Sequence, residues 1–167
     1  MTVLEGGAVN NITLNYRGRL NLSSGGTANN TVVNSGGSLY LYSGGKASNT
    51  QMDYDGRIWV SSGGEITSTT LNNGRMYISS GGTARNAVVN ANATLYGNVG
   101  GTLKDVMVNN GGSLIVSSNG IVENLIVNNG GTVSLRRGAT ATVVFNPWQG
   151  DISVDTRSEE RRVGKEC

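Results

Sequence analysis

General acid–base chemistry at neutral pH most often uses histidine, and this 167-residue chain has none. Its single cysteine is the last residue, Cys167, so the sequence supplies no internal disulfide and no thiolate metal cluster. The acids of the chain's repeating part are few: Asp53, Asp55, Glu65, Asp105 and Glu123. A carbohydrate-active enzyme on a repetitive scaffold would need acids and bases clustered on one face. Asp53 shares a column with asparagines, Asp55 and Glu65 fall in different parts of the repeat, and no acidic pair recurs in adjacent copies. The calcium-binding pattern Gly-Gly-x-Gly-x-Asp is absent too. The expectation is therefore no catalytic residue, no metal and no cofactor. Charge points to no nucleic acid either, because the formal net charge is only +2 and both signs are scattered.

What the spacing does bring together is non-catalytic. Tyr40, Trp59, Tyr77 and Tyr96 recur at steps of 19, 18 and 19 residues, each between two inward-phase positions of a short alternating segment. Such a strip is a stacked ladder that stabilises a sheet, a contact surface, or both. Asn15, Asn34, Asp53, Asn72, Asn90, Asn109, Asn128 and Asn146 recur in the same way, one residue after an apolar position and just before a turn. Asparagine tolerates turn backbone, and stacked amides bond along an array, so this column reads as structural.

The elements that position these residues follow from the repeat. Taking the second glycine of each pair, or its equivalent, one series runs Gly7, Gly26, Gly45, Gly64, Gly82, Gly101, Gly120, Gly138. A second runs Gly18, Gly37, Gly56, Gly74, Ala93, Gly112, Gly131, Gly150. Both step by 18 or 19 residues, the period of a solenoid. Leu39-Tyr40-Leu41, Ile58-Trp59-Val60 and Met76-Tyr77-Ile78 alternate with period two, as strands do, and no segment shows helical spacing with caps. Stacked, the copies give inward columns: Leu20, Leu39, Ile58, Met76, Leu95, Leu114, Val133, then Leu22, Leu41, Val60, Ile78, Gly97, Val116, Leu135, and Leu14, Val33, Met52, Leu71, Val89, Val108, Val127. Thr31, Thr50 and Thr69 continue as Ala87, Val106 and Leu125 in inward phase, which rules out a flat threonine face for ice. The predicted fold is all-β, a β-solenoid of parallel strands with about eight rungs of about 19 residues, roughly 38 Å long at the spacing of strands.

The segment Ser23-Ser24-Gly25-Gly26-Thr27-Ala28-Asn29-Asn30-Thr31-Val32-Val33-Asn34-Ser35-Gly36-Gly37, echoed by Ser79-Ser80-Gly81-Gly82-Thr83-Ala84-Arg85-Asn86, resembles the repeat of the diffuse-adherence (AIDA-type) autotransporter adhesins. The resemblance covers residues 6–145. It implies a right-handed parallel β-helix, a secreted passenger domain displayed on a bacterial outer membrane, and adhesion to host cells or association between neighbouring bacterial cells. A structural stalk without binding activity is the alternative. Some such relatives carry heptose on serines of their repeats, which makes Ser23, Ser24, Ser61, Ser62, Ser79 and Ser80 the matching candidates here. Asn98-Val99-Gly100-Gly101 and Arg136-Arg137-Gly138 depart from that serine pattern, and Phe145-Asn146-Pro147-Trp148-Gln149-Gly150 breaks the repeat, predicting a variant rung from about residue 139.

The ends carry two further expectations. Gly6-Gly7 opens the first copy with no signal peptide, cap or anchoring barrel, so residues 1–156 read as a fragment of a longer solenoid. No run of about 18 apolar residues spans a membrane. Residues 157–167 hold seven of the chain's charged residues, occupy no repeat position and resemble the in-frame translation of a sequencing-library adapter, which predicts a non-native tail.

Overall fold

A computed structural model describes residues 1–144 and 146–155. The charged tail therefore lies outside the described residues. In chain order the strands are β1 (Thr2–Val3), β2 (Ala8–Leu14), β3 (Arg19–Leu22), β4 (Thr27–Val33), β5 (Ser38–Leu41), β6 (Lys46–Met52), β7 (Gly56–Val60), β8 (Glu65–Leu71) and β9 (Gly74–Ile78). They continue as β10 (Thr83–Val89), β11 (Ala93–Gly97), β12 (Thr102–Val108), β13 (Ser113–Val116), β14 (Ile121–Val127), β15 (Thr132–Leu135), β16 (Thr140–Val143) and β17 (Asp151–Val154). Odd-numbered short strands form one parallel sheet and even-numbered long strands form the other, each in sequence order. One short and one long strand make a rung, and the rungs stack into the parallel β-solenoid of about eight turns that the period implies.

Register follows the repeat residue for residue. Leu20, Leu39, Ile58, Met76, Leu95, Leu114 and Val133 pair in succession along the short-strand sheet. Every member of that column is at most 2% exposed. Each such side chain contributes about 1.5–3 kcal/mol on burial, and a neighbouring rung is what removes it from water. The turns hold this register through glycine. The first glycine of a pair, such as Gly63, takes a left-handed φ of 81°. The second admits no side chain, since a Cβ on Gly64 would lie 2.6 Å from the Leu41 carbonyl oxygen of the rung below.

The long strands depart from strict alternation. In β4 the buried residues are Ala28, Thr31 and Val33, with two outward residues between the first two. The cause is a left-handed residue in mid-strand: Asn11, Asn30, Asn49, Ser68, Asn86, Asp105 and Asn124 all have φ between 51° and 56°. Each rotates the strand, turning a corner, so the rod has a short-strand wall and two walls from each long strand. This corner adds an inward column that the period-two pattern misses: Ala28, Ala47, Ile66, Ala84, Leu103 and Val122. Leu103 fills the space beside Gly97, whose missing Cβ would sit 3.1 Å from Leu103 Cδ1. At the late end β16 pairs with β14 through a register shift, and an isolated antiparallel bridge joins Asn128 to Gln149 before β17 rejoins the short-strand sheet.

Candidate functional surface

The aromatic column is a continuous stack. Ring centroids of Tyr40 and Trp59 lie 4.6 Å apart at 4°, Trp59 and Tyr77 5.6 Å apart at 13°, and Tyr77 and Tyr96 4.8 Å apart at 10°. In-register strands set this spacing. Alternation alone predicts these rings to be exposed, but all four are half-buried, because each covers the face of the next. At one end the Arg19 guanidinium lies 5.2 Å from the Tyr40 centroid, and at the other Ile115 is the register partner of Tyr96. The wall therefore offers ring edges and polar tips to a partner, while the π-faces are already occupied.

The asparagine column is a directed chain of amide hydrogen bonds. Nδ2 of each residue donates to Oδ1 one rung earlier: Asn34 to Asn15 at 3.0 Å, Asn72 to Asp53 at 2.8 Å, Asn90 to Asn72 at 2.9 Å, Asn109 to Asn90 at 2.8 Å and Asn128 to Asn109 at 2.7 Å, with Asn146 bonding Asn128. The chain breaks at Asp53. Its carboxylate accepts from Asn72 and, at 2.6 Å, from Gln51 Nε2, but has no amide proton to donate to Asn34. The corner residues make shorter runs of the same kind, Asn30 to Asn11 at 3.1 Å and Asn124 to Asp105 at 2.9 Å. Their recurrence every 18 or 19 residues was the signal that could have revealed the corner.

The candidate serines divide by turn geometry. In Ser23-Ser24-Gly25-Gly26 both central residues have φ > 0, 50° for Ser24 and 82° for Gly25, and Gly26 N donates to Ser23 O at 2.9 Å, which defines a type I′ turn. Ser62 and Ser80 occupy the same position at φ 50° and 45°. These second serines are exposed, whereas Ser23 is 8% exposed and Ser61 and Ser79 are half-buried. The motif search missed Ser43, exposed at φ 51°, because Tyr42 stands where the other turns have their first serine. The column in space is Ser24, Ser43, Ser62 and Ser80. At Asn98-Val99-Gly100-Gly101 only Gly100 has φ > 0, so the turn becomes type II.

The acids are spread over different walls with local partners. Glu65 meets Arg85 at 3.0 Å and Lys46 at 4.0 Å, Glu123 meets Lys104 at 2.7 Å, and Asp55 lies 4.0 Å from Arg57. Asp53 and Asp105 accept amide bonds in the ladders. No group of three metal-ligating side chains occurs among the described residues.

Residues 24–75 match the family model described as "AIDA: Adhesin of bacterial autotransporter system, probable stalk". The chain is similar to the crystal structure of a TibC-catalysed hyper-glycosylated fragment of TibA, residues 55–350, with a TM-score of 0.86 and 37% identity over 92% of this chain. It spans 57% of that fragment. No curated protein sequence matches significantly. Residues 24–75 thus carry the AIDA-type stalk repeat, and the rungs around them are similar to those of an autotransporter passenger fragment.

Proposed function

We propose that the chain is a length of a rod displayed from the bacterial outer membrane, which mediates adhesion to host cells or self-association between bacteria through its outward columns and is not an enzyme. The observation that carries this reading is the aromatic ladder Tyr40–Trp59–Tyr77–Tyr96, a row of half-exposed rings on the outer face of a rod whose core is filled by its inward columns. Rigid aromatic side chains give contact area at low entropic cost. The acids are engaged in ion pairs and amide ladders, which supports a binding role without a cofactor. A second reading, a stalk without binding activity, is favoured by the covered ring faces and by the description of the family as a probable stalk.

The Ser24, Ser43, Ser62 and Ser80 hydroxyls make a row of exposed acceptors on one edge, and the glycosylation of the TibA fragment supports reading that row as modifiable. Co-expression with a glycosyltransferase such as TibC should add mass at these four positions and spare Ser23. The test of adhesion displays the rod with its native flanking rungs and changes Tyr40, Trp59, Tyr77 and Tyr96 to Ser. Loss of cell–cell aggregation or host-cell adherence is expected. Equal aggregation and adherence would make the ladder a structural device and the segment a stalk.

A further inference from the structure

Beside the aromatic ladder the short-strand wall carries a second outward column, and part of it is basic. In register it reads Arg19, Ser38, Arg57, Arg75, Thr94 and Ser113. Arg57 and Arg75 stand directly opposite one another on adjacent strands, and both are exposed. Like charges so placed destabilise a sheet. On the long-strand sheet basic residues have acids across the rungs, in Lys46–Glu65–Arg85 and Lys104–Glu123. On the short-strand wall Arg57 meets only Asp55, at 4.0 Å and with the Asp55 side chain 62% exposed, and Arg75 has no ion pair among the described residues. Two neighbouring guanidiniums are thus left able to take an external anion.

We infer that this wall binds an acidic polysaccharide lying lengthwise along the rod. Guanidinium groups grip carboxylate or sulfate in a planar, two-bonded fork. Ser38 and Thr94 flank the arginine pair with hydroxyls, and the ladder beside it adds the phenol and indole groups of Trp59 and Tyr77, which suit sugar hydroxyls. Sites repeating at about 4.8 Å in single file fit an extended polymer. A membrane would need a broad basic face, and an acidic peptide would bring apolar side chains to ring faces that are already covered.

The inference deepens the adhesion reading by naming a ligand class for one outward column, and its test is read on the purified chain, apart from cells. The probe is immobilised heparin, with dextran as the neutral control. Binding to heparin and not to dextran is expected, weakening as salt rises. The exposed pair Arg57→Gln/Arg75→Gln should weaken it at least about tenfold, since each lost guanidinium removes a charge-assisted bond. Arg136→Gln/Arg137→Gln takes the same charge from an exposed turn elsewhere and should change binding less than about twofold if contact rather than net charge decides. Circular dichroism and thermal melting confirm that both variants fold. Absence of heparin binding by the unmodified chain, or equal losses in the two variants, would overturn the inference. Adherence to cells without heparin binding would sink this inference alone, and heparin binding without adherence would sink the adhesion reading alone.

Discussion

The rungs built on β4, β6 and β8 share a backbone with those built on β10, β12 and β14, but the two groups are filled differently. In the first group the inward corner column is Thr31, Thr50 and Thr69, at most 2% exposed, with all three hydroxyls lacking a partner. In the second it is Ala87, Val106 and Leu125. The neighbouring column changes from Ala28, Ala47 and Ile66 to Ala84, Leu103 and Val122. The amide ladder is interrupted at Asp53 in the first group and continuous from Asn72 onward. The first group's stretch of the rod also carries most of the aromatic ladder, the facing arginines Arg57 and Arg75 and the left-handed serine turns. In a solenoid each rung answers only to its neighbours, so display and stabilisation can be assigned to different stretches of one rod.

Four changes probe that contrast, from the largest effect to the smallest. Leu103→Ala should cost about 2–5 kcal/mol, because it opens a cavity beside Gly97, next to Val116. Urea unfolding measures it, and a cost below about 1 kcal/mol would mean that the late core is no tighter than the early one. Thr50→Val should stabilise the rod by about 1–2 kcal/mol by replacing a buried, unpartnered hydroxyl with a methyl of similar shape. Val106→Thr should cost a similar amount, and for a chain of this size each kcal/mol moves the thermal midpoint about 2–4 °C. Asp53→Asn supplies the missing donor to Asn34 and should gain about 1 kcal/mol by completing the ladder. An unchanged midpoint would show that the interruption carries no cost.

Much of this was legible because identical rungs make a column out of each repeated position. Leu39, Ile58 and Met76 share a phase that only an inward direction explains, and Asn90, Asn109 and Asn128 share one that only a turn explains. The corner was hidden for a local reason. A single left-handed residue such as Asn30 resets the alternation, so Ala28 and Thr31 both point inward although they are an odd number of residues apart. Ring exposure was hidden for a cooperative reason. Alternation sets the direction of Trp59, but its cover comes from Tyr40 and Tyr77, which meet it only after the rungs stack. Ser43 escaped because its place is defined by turn geometry and not by a doubled serine.

The division of the rod is tested most directly by native-state hydrogen exchange on the unmodified chain, which reads local opening free energy strand by strand. Amides of β10, β12 and β14 are expected to exchange more slowly than those of β4, β6 and β8, with the step falling where Thr69 gives way to Ala87. Uniform protection along the long-strand sheet, or greater protection around the threonine column, would contradict it.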